Sequence, residues 1–148
     1  MGYLEALSNN IVLLSAILAW ALAQFLKVII ELLRVRRIKP GLMFSTGGMP
    51  SSHSSFMAAM ATAVGLGSGF DSVIFAVAAA ISLVVMSDAA GVRRAAGKQA
   101  KVINSLVENI ENTGIVLDKK LKELLGHTPI EVACGAILGI CIAILLHN

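Results

Sequence analysis

The run Ile11-Val12-Leu13-Leu14-Ser15-Ala16-Ile17-Leu18-Ala19-Trp20-Ala21-Leu22-Ala23-Gln24-Phe25-Leu26-Lys27-Val28-Ile29-Ile30 decides the class of this protein. Gln24 and Lys27 interrupt it. A helix rises about 1.5 Å per residue, so a run of this length matches the ~20 residues that cross a hydrocarbon core about 30 Å thick. Its N-terminal flank, Met1 to Asn10, contains Glu5 and no Lys or Arg, and no small-residue cleavage site is evident. The run therefore reads as a membrane span and not as a secretory signal peptide.

Three further apolar runs lie downstream. One starts near Phe56 and fades in Gly65-Leu66-Gly67-Ser68-Gly69, one extends from Val73 to about Met86, and one from Ile130 to Leu146. The two middle runs are short for full spans, which fits helices that are tilted or partly buried in protein. The expected architecture is an all-α, integral-membrane helical bundle of about four membrane helices. The composition agrees: 57% of the 148 residues are hydrophobic and 14% charged, with a mean hydropathy of +0.83. Soluble domains carry about 25% charged residues, so a disordered chain is excluded and a freely soluble globule disfavoured. The length suits one domain, residues 1–148. Cys134 and Cys141 both sit in the last apolar run, which is not the pattern of a disulfide-stapled module.

The net charge of +3 is less informative than its distribution. Arg34, Arg36, Arg37 and Lys39 form one basic group. Arg93, Arg94, Lys98, Lys101, Lys119, Lys120 and Lys122 form a second, and only Lys27 stands apart. Basic loops stay cytoplasmic. Both groups then fall on the cytoplasmic face, with the N-terminus, the turn around Gly69 and the C-terminus outside. The expected location is a bacterial plasma membrane. A greasy chain with one Trp and one Tyr fits nucleic acid poorly as a partner; membrane lipids are the expected neighbours.

Two stretches have helical periodicity without being spans. Val92 to Ile110 places Val92, Ala96, Ile103, Leu106, Val107 and Ile110 near one face, and Asn112-Thr113-Gly114 supplies a stop. Leu117 to Leu125 repeats the pattern before Gly126. Both read as amphipathic cytoplasmic or interfacial helices. Gly135-x-x-x-Gly139 reads as a close-packing motif, within the chain in preference to between chains, although a homo-oligomer stays open.

The chemistry gathers around two histidines. In Thr46-Gly47-Gly48-Met49-Pro50-Ser51-Ser52-His53-Ser54, two glycines and a proline shape a loop and the serines form an N-cap pattern. Unpaired amides at a helix start suit an anion such as phosphate. His53 stands at that start and can donate a proton to a leaving oxygen. In Gly126-His127-Thr128-Pro129-Ile130-Glu131, Thr128 and Glu131 form a capping-box pattern with Pro129 at the favoured first helical position. That cap alone accounts for Glu131. The alternative is that Glu131 holds the His127 ring four residues away. The expected topology delivers His53, His127, Arg34 and the Arg93-Arg94 pair to one membrane face.

Together these pieces resemble the type 2 phosphatidic acid phosphatases and vanadium haloperoxidases. The hallmarks are Lys27 to Arg34, Pro50-Ser51-Ser52-His53, and His127 to Glu131. Gly47-Gly48-Met49-Pro50-Ser51-Ser52-His53-Ser54, Asp88-Ala89-Ala90-Gly91-Val92-Arg93-Arg94 and Gly126-His127-Thr128-Pro129-Ile130-Glu131-Val132 look like the divergent branch of small membrane proteins in that superfamily. Ser52 stands where the superfamily usually has glycine, and Glu131 where it has aspartate. The resemblance implies phosphoryl transfer through a phosphohistidine, with neither metal nor cofactor. In that scheme His127 attacks phosphorus, His53 protonates the leaving group and Glu131 orients His127. Lys27, Arg34, Ser51, Ser52 and one of Arg93 or Arg94 hold the phosphate. The membrane setting points to a lipid phosphate or diphosphate as substrate. The competing expectation is a non-catalytic membrane module that binds anionic headgroups or a partner protein through the same basic face.

Overall fold

A computed structural model describes residues 2–35, 48–111, 121 and 126–148. Among the described residues all regular structure is helical. The elements are α1 (Tyr3–Ser8), α2 (Ile11–Val35), α3 (Ser52–Ser68), α4 (Val73–Ala90), α5 (Val92–Glu111) and α6 (Pro129–His147). The basic residues Arg36, Arg37, Lys39, Lys119, Lys120 and Lys122 lie outside the described residues, as does the expected stop at Asn112-Thr113-Gly114. Of the expected helix from Leu117 to Leu125, only Leu121 is described.

Among the described residues, three helical stretches are long and apolar enough to cross a membrane: Ile11–Leu33, Val73–Glu108 (which takes in α4 and most of α5) and Pro129–His147. The remaining expected span, α3, has 17 residues and is about 25 Å long. It is the middle of the bundle and packs most extensively against α6, then α2, then α4. Its composition explains that position. Ser52, Ser54, Ser55, Ala58, Ala59, Ala61, Ala63 and Gly65 are all buried. Lipid tails are as apolar as leucine, so membrane helices gain little from burying large apolar side chains against each other. Small side chains instead allow backbones to approach, and the core is accordingly a cluster of alanines: Ala19, Ala59, Ala63 and Ala143.

The contact between α3 and α6 is the closest. A Cβ added at Gly135 would run into the Ser51 carbonyl, and one at Gly139 would meet the Ser55 carbonyl and the Ala59 amide nitrogen. Gly135 and Gly139 therefore pack within the chain, as their spacing led us to expect. Hydroxyls tie the other faces of α3. Ser55 Oγ donates to the Ala19 carbonyl of α2 at 3.0 Å, and Ser82 Oγ of α4 donates to the Met57 carbonyl at 2.9 Å. The outer helices turn large side chains outward, with Leu14, Ile17, Leu18 and Phe25 on α2 and Val73, Ile74, Val77, Leu83 and Val84 on α4 all exposed. An exposed apolar girdle on a helical bundle is the surface that lipid chains cover.

Beyond the bundle, α5 begins at Val92, directly after Gly91 caps α4. It buries Ala100 and Asn104, while Val92, Val102, Ile103 and Leu106 stay exposed. Asn104 closes a two-point bond with Leu121. Its Nδ2 donates to the Leu121 carbonyl and its Oδ1 accepts from the Leu121 amide, both at 2.8 Å.

Candidate functional site

Four chain segments meet at one end of the bundle, and main-chain hydrogen bonds hold them there. The Ser51 amide at the start of α3 donates to the Glu131 carbonyl in the first turn of α6, at 3.0 Å. The His127 amide donates to the Ala89 carbonyl at the end of α4, at 2.9 Å. Gly126, with a φ of +89°, brings the chain against the Arg93-Arg94 backbone, where a Cβ would clash with main-chain atoms. Only glycine adopts that left-handed conformation at little cost and leaves that space. The fourth segment is the C-terminal part of α2. Lys27 lies beneath Gly48, and a Cβ there would come within 3.3 Å of Lys27 Cγ.

His127 is 3% exposed and immediately precedes α6. Its Nδ1 lies 3.2 Å from Glu131 Oε2. An ionised carboxylate can only accept, so Nδ1 carries the proton and Nε2 keeps its lone pair. The same Oε2 accepts from the Thr128 amide at 2.8 Å, while Thr128 Oγ1 accepts from the Glu131 amide at 3.3 Å. Thus the capping box and the histidine clamp, read from the sequence as alternatives, are one arrangement built on one oxygen. Burial holds the His127 pKa below the ordinary imidazole value of about 6.5. The hydrogen bond and charge of Glu131 oppose that shift, and the positive charges of Lys27 and His53 add to it.

Lys27 is 2% exposed, which excludes a lysine snorkelling to the membrane interface. Its ammonium is held within the electrostatic reach of Glu131. An ionisable side chain inside the apolar layer is costly, which makes Lys27 a candidate for the site.

His53 stands in the first turn of α3 and is exposed, while Ser51 and Ser52 beside it are buried. Its ring feels the charges of Arg93, Lys27 and Asp88. Ser51 caps α3, its Oγ accepting from the Ser54 amide at 3.3 Å and from Ser54 Oγ at 2.9 Å. Its amide donates to the scaffold and its hydroxyl oxygen accepts twice from Ser54, and the amides of Ser52 and His53 are those that helix geometry leaves pointing out of the turn. Arg93 is the arginine directed toward the site: its charge reaches His53, and its Nε donates to Asp88 Oδ2 at 2.7 Å. No such link ties Arg94 to either histidine among the described contacts. The side chain of Arg34, in the last turn of α2, lies outside the described residues.

The geometry therefore joins His127, Glu131, Lys27, His53 and Arg93 at one end of the bundle. It also adds Asp88, near the end of α4, through its bond with Arg93. An imidazole with a fixed nucleophilic nitrogen, a second imidazole and two cations suit transfer of a group carrying negative charge.

Comparison with known proteins gives the family. Residues 8–142 match the family model described as the divergent PAP2 family. The chain is 45% identical, over 153 aligned positions, to the uncharacterized membrane protein YuiD of Bacillus subtilis strain 168, covering 95% of this chain and 96% of that one. No solved structure matches.

Proposed function

The chain belongs to the divergent PAP2 family of membrane proteins, and on that premise we propose that it is a phosphohydrolase acting on a lipid phosphate or diphosphate through a phosphohistidine. One observation carries the reading: His127 is buried with its Nδ1 bound to Glu131, so that Nε2 presents a lone pair at the end where Lys27, His53 and Arg93 gather.

In the first step Nε2 of His127 attacks phosphorus. The P–N bond forms as the bond to the leaving oxygen breaks, and His53 gives that oxygen its proton. The Glu131 carboxylate stabilises the imidazolium that His127 becomes. In the second step His53 takes a proton from water as the water attacks phosphorus, the P–N bond breaks, and phosphate leaves with His127 neutral again. Lys27, Arg93 and Arg34 offset the charge on the phosphoryl oxygens, and the first-turn amides of α3 add dipoles of the same sign. Positioning and charge neutralisation do most of the work in such a transfer. The proposed orientation puts this end in the cytoplasm, because the basic residues cluster there.

Phosphate release from lipid phosphates by purified protein tests the reading. His127→Ala should abolish release, and His53→Ala should lower it by about 10²–10⁴-fold, the usual contribution of a general acid. Glu131→Gln keeps a residue competent for the capping box but removes the charge. It should lower turnover with little change in thermal stability. Undiminished release from His127→Ala would overturn the assignment, and saturable lipid-phosphate binding without turnover would select the non-catalytic module.

A further inference from the structure

His53 has a second side. It lines a cavity of about 270 Å³ together with Trp20 of α2, Phe56 and Met57 of α3, and Val85 of α4. The cavity runs from the site end along the flank of the bundle, between exposed and half-buried side chains. Met57 is one helical turn beyond His53, and Trp20 is seven residues, about 10 Å, deeper along α2 than Lys27. It also opens sideways: Trp20 is 44% exposed, on the flank where lipid would stand. Its volume lies just under the ~300 Å³ lower end for small-molecule pockets. That leaves room for a stretch of one slim chain. Among the described lining residues, His53 and the Trp20 indole are the strong hydrogen-bonding groups, and the indole only donates.

We propose that this cavity receives the leaving group of the hydrolysed ester, and that the preferred substrate is a phosphate monoester whose leaving oxygen carries a hydrocarbon chain directly. This rests on the phosphohydrolase reading above. His53 is the group that both protonates the leaving oxygen and forms the cavity wall, so whatever is attached to that oxygen starts in the cavity. An alkyl or isoprenyl chain meets Phe56, Met57 and Val85 without loss. A glycerol backbone carrying two esters would put carbonyls against those same apolar walls, where unpaired polar groups are costly. The cavity adds no hydrophobic affinity over the bilayer, since both are apolar. Its contribution is alignment: the chain stays in apolar surroundings while its phosphate reaches His127.

Trp20 is the only tryptophan in the chain and therefore a built-in reporter. The test uses the full protein in nanodiscs, with dodecyl phosphate brominated in mid-chain as a quencher. Quenching should saturate, be reversed by unbrominated dodecyl phosphate, and be absent as a saturable component with the matching bromododecanol. Val85→Phe, which fills the cavity, should remove the saturable component. It should also lower the ratio of kcat/KM for dodecyl phosphate over that for methyl phosphate by about 10–10²-fold, the cost of misplacing a substrate slightly. Wild-type protein should prefer dodecyl phosphate to a diacylglycerol phosphate. If both esters are hydrolysed but quenching never saturates and the Val85→Phe ratio equals that of wild type, the cavity proposal is overturned and the phosphohydrolase reading stands. Equal, non-competitive quenching by the alcohol would mean that bilayer chains fill the cavity, and would also overturn it. Saturable, competed quenching with no hydrolysis of any ester would support the cavity as a phosphate-amphiphile site while removing the hydrolase reading.

Discussion

α3 and α4 are consecutive helices of 17 and 18 residues, joined by a tight turn, yet they have opposite designs. α3 has three valine, isoleucine, leucine or phenylalanine residues and buries eight residues; α4 has eight of them and buries three residues. In water the greasier helix would be the core. Here the less apolar helix is inside, because the outer solvent is itself apolar and only polar groups and close backbone packing distinguish the interior. The interior is thus where serine hydroxyls find carbonyls, and where a lysine and a histidine can be held.

The contrast can be broken most severely at the α3–α6 contact. Gly139→Leu forces a side chain into the Ser55 carbonyl and the Ala59 amide, which are backbone and cannot rotate away. We expect a loss of about 3 kcal/mol or more, and little folded protein in detergent melts. A milder challenge is pH. Burial lowers the His127 pKa, and only its neutral form is nucleophilic, so the acid limb of kcat/KM should lie below pH 6.5. Lys27→Met removes a positive charge that helps to lower that pKa, and should move the limb upward. A limb that moves down would mean that Lys27 does not act on His127 as described. Smaller still, Ser55→Ala deletes one hydroxyl bond to α2 and should cost about 0.6 kcal/mol in reversible unfolding. At the low end, Val84→Leu on the exposed face of α4 should change stability by no more than about 0.5 kcal/mol. A large effect there would show that α4 faces protein and not lipid.

Much of this was legible in the sequence, for physical reasons that can be named. The long apolar runs and the N-cap signals of Ser51 and Thr128 are local, and local signals placed α2, α3, α4 and α6. The two candidate histidines stood out in the sequence because they sit beside those caps. The central place of α3 was not, since hydropathy ranks helices by greasiness and the innermost helix of a membrane bundle is not the greasiest. Nor was the burial of Lys27. One lysine after 16 residues of apolar run reads equally as snorkelling outward or reaching inward, and only the packing of Gly48 above its aliphatic stem decides. The choice between Arg93 and Arg94 likewise depended on the turn at Gly91, which swings Arg93 back toward Asp88.

The bond from the Ser51 amide to the Glu131 carbonyl has one more consequence. With Gly135 seated against the Ser51 carbonyl, the starts of α3 and α6 are joined main chain to main chain. The separation of the two backbone positions that carry the imidazoles is therefore a gauge set by main chain. Side chains on the outer faces can drift with the lipid they meet, and charges around the histidines can be exchanged, without resetting that gauge. A lineage could retune what the site accepts while inheriting its spacing unchanged.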